Sequence, residues 1–278
     1  LGLCGEVASI LGQGRRIGLA FLFLILGKEP KRNGNLSGIE QLRRHCNDTF
    51  NQIRIDNILS YKLSGDIGYL LDAESDEDEI WNTIIHPETI QTAVDLGAYN
   101  GDTVRQLLEK WNPETVWAME PDARNYKKLE AYAESETRAR IIPVNAGAWN
   151  EETTLFFDKS GNRNASFEVN RSQTLADRPA KMAEVKALPL DTVLGGARVD
   201  YIKYDVEGSE REALDGSVQT LINHAPTLLV SLYHRSEDLF ALPLHVHKIA
   251  PHYNGFYLRR MRGIPAWDIN LYVTKENI

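Results

Sequence analysis

From Thr92 onward, short apolar runs alternate with amphipathic stretches, and this alternation constrains the fold more than any other feature of the chain. It is the pattern of an α/β fold with a mostly parallel sheet. Thr92–Leu96 reads as a strand, and Asp102–Trp111 as a helix with Val104, Leu107, Leu108 and Trp111 on one face. A second strand, Thr115–Met119, leads into a helix from about Ala123 to Glu134, aligned through Tyr126, Leu129 and Ala133. Arg140–Val144 is a third strand. Extended pieces at Thr153–Phe157 and Val185–Leu190 flank a polar loop around Ser160–Ala176. Val199–Tyr204 is a strand ending in Asp205, and Ser209 with Glu212 has the spacing of a capping box opening the next helix. Pro226–Leu232 then reads as a strand, Asp238–Ala250 as a helix, and Phe256–Arg260 with Ile269–Val273 as a closing pair of strands.

The chain divides near residue 90, which predicts a mostly helical appendage over 1–90 and the α/β domain over 91–278. In the appendage, Ser37–Ser64 reads as helical, with Leu42, Cys46, Phe50 and Ile53 at helical spacing. Asp72–Glu79 places six carboxylates in eight positions, expected to be a solvated linker or helix start. The apolar run Ile17–Leu26 follows Arg15-Arg16 and falls short of the roughly 20 residues that a membrane-spanning helix needs. A packed or interface helix is expected there, with a membrane-surface anchor and a signal peptide as alternatives, although Gly27-Lys28-Glu29-Pro30 offers no small-residue cleavage site.

Composition excludes some partners. The 278 residues carry 31 Lys and Arg against 39 Asp and Glu, net charge −8, which argues against binding along a phosphate backbone and so against nucleic acid. Cys4 and Cys46 are the two cysteines and offer neither a disulfide framework nor metal-ligand spacing. A cytoplasmic location is expected, with peripheral membrane contact through residues 17–26 as the variant of it, and no metal site.

Three motifs sit at strand ends, where ligands bind in open α/β sheets. The first is Asp95-Leu96-Gly97-Ala98-Tyr99-Asn100-Gly101-Asp102-Thr103, between a strand and a helix. Its glycines let the backbone turn sharply and approach a ligand, and the helix start offers free N–H groups. The spacing is G-x-x-x-G, a poor match to the dinucleotide fingerprint, and a plain turn is the bland alternative. The second is Glu120-Pro121-Asp122, about 20 residues on, where a carboxylate can accept bonds from both ribose hydroxyls or merely sit at a helix start.

The third is Asp200–Gly208, which brings Asp205 and Glu207 to the carboxyl edge of the sheet. There they can orient a substrate, take a proton or hold a hard cation, unless Glu207 only caps the helix. His234, in Ser231-Leu232-Tyr233-His234-Arg235, reaches the same edge as a candidate general base or a structural histidine. His245 and His247 face apart on one helix, which disfavours a metal pair.

The glycine turn, the Glu-Pro strand end, Leu190-Asp191-Thr192-Val193 and Tyr201–Gly208 together resemble the FkbM-type family of S-adenosylmethionine-dependent methyltransferases. The match runs in order from about residue 92 to about residue 273, roughly two-thirds of the chain, and Tyr233-His234-Arg235 with Glu237-Asp238-Leu239 resembles a further family segment. The resemblance implies a Rossmann-like class I methyltransferase fold, with a seven-stranded, mostly parallel sheet whose last strand is antiparallel. It implies that Asp95, Gly97 and Gly101 surround the methionine part of S-adenosylmethionine, with Ala98, Tyr99, Asn100 and Thr103 as further contacts. Glu120, beside Pro121, would hold the ribose, Asn145, Ala146 and Gly147 would lie beside the adenine, and Asp205 and Glu207 would face the methyl donor.

Asn100 departs from the Asp of many relatives, which puts one cofactor hydrogen bond in doubt. The implied reaction is O-methylation of a sugar, polysaccharide unit or secondary metabolite, so the partner is a small-molecule or glycan acceptor. An N-methyltransferase, a non-catalytic S-adenosylmethionine-binding or partner-docking protein, and a nicotinamide dehydrogenase are the alternatives. Base methylation is disfavoured because Asp205-Val206-Glu207-Gly208 stands where an Asn/Asp-Pro-Pro-Tyr/Phe segment would be.

Overall fold

Among the described residues, the apolar runs of the α/β region form ten strands: β1 (Thr92–Leu96), β2 (Thr115–Met119), β3 (Arg140–Val144), β4 (Gly147–Ala148), β5 (Thr153–Asp158), β6 (Met182–Leu188), β7 (Tyr201–Tyr204), β8 (Thr227–Ser231), β9 (Gly255–Arg260) and β10 (Ile269–Thr274). The helices are α1 (Thr49–Ser64), α2 (Ile67–Asp72), α3 (Asp102–Lys110), α4 (Ala123–Ser135), α5 (Leu190–Leu194), α6 (Glu210–Asp215), α7 (Val218–His224) and α8 (Asp238–Ile249). The computed structural model describes residues 41–42, 49–158, 182–262 and 268–276. The apolar run 17–26, Cys4, Cys46 and the loop 160–176 lie outside the described residues.

Seven strands form one sheet in the order β3-β2-β1-β7-β8-β10-β9. Neighbours from β3 to β8 are parallel, and β10 is antiparallel to both β8 and β9. The chain therefore winds outward from β1 to β3 and then restarts at β7 on the other side of β1. This is a topological switch point, and in open α/β sheets ligands bind at the carboxyl ends of the strands flanking such a point. A second sheet, β4-β6-β5, packs Trp149, Leu155, Val185 and Ala187 together.

The sheet is buried on both faces because its side chains alternate. Ala93 and Tyr201 meet Val104, Leu107 and Leu108 of α3 on one face, while Val94 and Ile202 join Leu190, Leu214 and Val246 on the other. Each such aliphatic side chain stabilises the fold by about 1.5–3 kcal/mol when buried. Trp111 ends α3 rather than lying within it, yet it stays in the same core with its ring edge-on to Trp81 and Tyr201. Asp200 precedes β7 and accepts the Gln91 and Thr92 N–H groups at 3.0 Å each, which fixes where β1 and β7 begin.

The segment preceding β1 packs along the edge strand β9. Ile55, Ile58 and Leu59 of α1 are buried, whereas Ile53 is 50% exposed and does not belong to that face as its spacing suggested. Four residues separate Asn51 from Ile55, and the buried Asn51 amide marks the same inward stripe. It donates to the Phe256 carbonyl at 2.9 Å and accepts the Leu258 N–H at 2.9 Å, so the backbone of β9 is not left as an open edge.

The acidic run is a helix start, but it is not simply solvated. Asp76 accepts the Asp78 N–H at the head of the short helix Glu77–Glu79, which continues into a π-helical turn, Ile80–Ile85. Glu79 holds the buried Arg259 through two hydrogen bonds of 2.8 and 3.2 Å, and Glu74 lies 3.5 Å from the buried Arg260. Among the described residues, no helix is long and apolar enough to cross a membrane.

Candidate active site

The turn after β1 is built on a close approach. Gly97 has φ +89°, and a Cβ there would lie 2.0 Å from the Asp205 carbonyl oxygen, so only glycine lets the ends of β1 and β7 meet. The Asp205 N–H donates to the Leu96 carbonyl at 3.1 Å, and the Gly97 and Ala98 N–H groups donate to the Met119 carbonyl at 3.1 and 2.9 Å. The turn is thus fastened to β7 on one side and β2 on the other. Tyr99 follows at φ 49°, a left-handed conformation that costs a residue with a side chain roughly 1–2 kcal/mol. Gly101, at φ +83°, is the N-cap of α3, and Thr103 lies in its first turn with its N–H on Asp102 Oδ1. Asn100 Oδ1 is buried without a hydrogen-bond partner among the described residues.

Glu120 stands at the end of β2, 5% exposed. Its Oε2 accepts the Tyr99 N–H at 2.9 Å and its Oε1 the Asp122 N–H at 2.8 Å. Burial pushes its pKa up to about 7 against the pull of these two bonds. An ionised carboxylate offers about four acceptor sites, so each oxygen retains one for a ligand hydroxyl. Asn145, past the end of β3, donates to the Glu120 carbonyl at 2.8 Å and the Pro121 carbonyl at 3.4 Å. Ala146 and Gly147 continue that strand end into β4 and are buried.

Beside the glycine turn lies a cluster of charges. Asp95 is fully buried, and neither carboxylate oxygen has a hydrogen-bond partner among the described residues. Burial raises its pKa, and the nearest cation, Lys203 Nζ on the paired position of β7, is 3.5 Å away. Lys203 donates to Asp205 Oδ2 at 3.0 Å, and the Tyr233 hydroxyl donates to Asp205 Oδ1 at 2.8 Å. Burial would raise the Asp205 pKa, but Lys203 and His234 outweigh it and hold the carboxyl down at about 2. The same balance leaves Lys203 firmly protonated, since Asp205 and Asp95 overcome its desolvation.

His234 faces three carboxylates. Its Nδ1 lies 2.9 Å from Glu210 Oε1, and its Nε2 lies 3.3 Å from Glu207 Oε2 and 3.6 Å from Asp205 Oδ1. Neither ring nitrogen is aligned as a hydrogen-bond donor, so these contacts are ion pairs in character. Burial lowers the pKa, but Glu207, Glu210 and Asp205 more than offset it and raise it to about 10. The shift favours the protonated ring at neutral pH. Glu207 holds φ 56° with its side chain 36% exposed at the rim.

The capping box does not form. Ser209 occupies the N-cap of α6 at φ −107° and ψ 17°, outside the extended region of a capping serine, and makes no side-chain cap bond. Glu210 instead accepts the Val206 and Gly208 N–H groups at 3.0 and 3.2 Å, because the left-handed turn at Glu207 and Gly208 folds the backbone over it. Sequence reasoning missed Lys203, Tyr233 and Glu210 as members of the site. Lys203 was readable, since residues two apart on a strand share a face with Asp205. His245 is 2.7 Å from Asp215 and His247 packs against the Phe256 ring, so the two do serve different neighbours. Among the described residues, no group of three or more His, Cys, Asp or Glu side chains could hold a metal ion.

The Methyltransferase FkbM domain family matches residues 95–257, more than half of the chain and the whole of this site. The chain belongs to the FkbM methyltransferase family. A crystal structure of methyltransferase FkbM from Methylobacillus flagellatus is similar over 86% of this chain at 24% identity, with a TM-score of 0.66. The chain spans 58% of that protein's length, and the likeness shows the shared fold. An rRNA methylase from Streptococcus thermophilus is 12% identical over 68% of this chain and 90% of its own, and its TM-score of 0.43 carries no argument. No curated protein matches the chain in sequence.

The FkbM domain is an S-adenosylmethionine-dependent methyltransferase domain, and the residues present fit that cofactor. The buried Asp95 and Asn100 oxygens lack hydrogen-bond partners among the described residues, and Glu120 has spare acceptor sites for vicinal hydroxyls.

Proposed function

We propose that this protein transfers the methyl group of S-adenosylmethionine to a hydroxyl oxygen of a sugar, polysaccharide unit or secondary metabolite. The observation that carries the reading is the 2.0 Å approach of the Asp205 carbonyl to the absent Cβ of Gly97, which sets the Asp205–Glu207 pair against the cofactor turn. In this reading Asp95, Gly97, Ala98, Tyr99, Asn100, Gly101 and Thr103 hold the methionine part. Glu120 takes the ribose, with Pro121, Asn145, Ala146 and Gly147 around the nucleoside.

When bound, the cofactor supplies a methyl group already activated on a sulfonium. The chain's task is then to align the acceptor oxygen, exclude water and receive one proton. Asp205 is a poor base, because Lys203 and Tyr233 occupy its oxygens and its pKa is about 2. Glu207, exposed at the rim, is the carboxylate that accepts the hydroxyl proton. His234 acts as a cation that orients the two carboxylates.

The test is incubation with S-adenosylmethionine and hydroxylated metabolite and sugar extracts, read by the mass gain of one methyl group. A product methylated on oxygen supports the reading. Methylation on nitrogen, or cofactor binding with no methylated product from any extract, overturns it.

A further inference from the structure

Glu210 is 1% exposed, and nothing in the reaction proposed above uses it. A carboxylate so deeply buried is costly unless it is paired and hydrogen-bonded. Its Oε1 accepts the N–H groups of Val206 and Gly208, the residues on either side of Glu207. The same oxygen lies 2.9 Å from His234 Nδ1, in the segment after β8. One oxygen therefore joins the turn after β7 to the segment after β8, beyond the last paired residues of the two strands. The His234 ring turns its other nitrogen to Glu207 and Asp205. A base orienter in hydrolytic triads is likewise a buried carboxylate on Nδ1, but here the Nδ1 contact is an ion pair and not an aligned hydrogen bond.

We propose that Glu210 is the positioning residue of this site: its buried oxygen fastens the turn carrying Glu207 to the His234 ring and fixes where the two stand relative to each other. The proposal rests on the methyl-transfer reading above. The groups facing His234 are Glu210 from α6, Asp205 and Glu207 from the turn after β7, and Tyr233 with its ring centroid 4.2 Å away. Lys203 contacts Asp205, the Arg235 side chain runs beside Gly208 and His234, and Asp238 of α8 feels Glu210 and, from α1, Lys62.

The test compares the parent chain with E210Q, whose amide oxygen can still accept both N–H groups. Two quantities are read across about pH 6 to 10: the titration of the His234 imidazole by NMR, and the ratio of calorimetric affinities for S-adenosylmethionine and S-adenosylhomocysteine. These ligands differ by the sulfonium charge and need no acceptor. In E210Q the proton affinity of His234 should fall by about tenfold or more, a shift of one pKa unit. The affinity ratio, flat in the parent, should then step upward as pH rises through the lowered pKa, because loss of the imidazolium favours a cationic ligand. A Glu210 that only stabilises the fold would lower Tm and leave that profile flat, which would overturn the proposal.

Should E210Q not fold, H234Q serves, with a raised and pH-independent ratio expected and an unchanged ratio overturning it. A parent chain that binds neither ligand would remove the cofactor reading itself. The His234 titration in E210Q would still decide whether Glu210 holds the ring.

Discussion

Gly97→Ala is the substitution whose effect can be worked most directly from the coordinates. The new Cβ would sit 2.0 Å from the Asp205 carbonyl oxygen, about 1 Å inside the 3.0 Å below which real Cβ contacts are essentially never seen. The obstacle is backbone at the end of β7, so no side-chain rotation relieves it. Gly97 also has φ +89°, where any side chain is strained by roughly 1–2 kcal/mol. Forcing the strand ends apart adds about 1–3 kcal/mol, the usual cost of overpacking. The sum, about 2–5 kcal/mol, lowers Tm by roughly 5–15 °C in a chain of this size.

Gly195→Ala supplies the control. Gly195 has φ +57° with nothing within 4 Å of its Cβ position, so only the backbone term of about 1 kcal/mol applies. Thermal unfolding of both variants, with and without S-adenosylhomocysteine, measures the difference. G97A should unfold well below G195A and gain little from the ligand. Equal Tm values with equal ligand-induced shifts would refute the argument that this close approach builds the site.

Three further substitutions probe the charges. Because the Glu120 pKa is raised to about 7, its protonated form is favoured in the fold. The corresponding stability, about 3 kcal/mol, is present below about pH 4.5 and lost as pH rises through 7, so E120Q should be the more stable apo protein above pH 7 in chemical denaturation. The same variant should bind S-adenosylhomocysteine at least about tenfold more weakly at pH 8, and parent affinity should drop below pH 7 as the acceptor is protonated. The His234 pKa is raised from 6.5 to about 10, so its contribution is complete below pH 6.5 and lost as pH rises through 10. H234Q should lose roughly 2–4 kcal/mol at pH 6, with the gap closing towards pH 10, as read by urea unfolding. Arg259→Met should cost about 3 kcal/mol by leaving Glu79 without its cation and removing one of the two donors to Asn51 Oδ1, and limited proteolysis should then cut first between residues 49 and 90.

Most of the fold was legible because its strands are short apolar runs punctuated by glycine, proline and acidic residues. Strand ends in a parallel sheet also fix where a ligand goes, so Asp95, Gly97, Glu120, Asp205 and Glu207 could be located without coordinates. The rest depends on contacts remote in sequence. Spacing alone did not show that Ile53 faces outward, because Asn51 uses its amide to cap β9 and turns α1 accordingly. The partners of Glu74 and Glu79 lie 186 and 180 residues away on β9, so their run read as solvated. The sequence left His234 open as a base or a structural histidine, because carboxylates from the β7–α6 turn and from α6 reach it only in the folded chain. Ser209 drew attention to Glu212 by motif, whereas the left-handed turn at Glu207 and Gly208 hands the task to Glu210.

An S-adenosylmethionine site at the carboxyl ends of β1, β2 and β7 must bind the demethylated cofactor as well. Calorimetric titration of the parent chain with S-adenosylhomocysteine, and separately with NAD, tests it most directly. One saturable S-adenosylhomocysteine site and no NAD binding is the predicted result; binding of NAD without S-adenosylhomocysteine would contradict it.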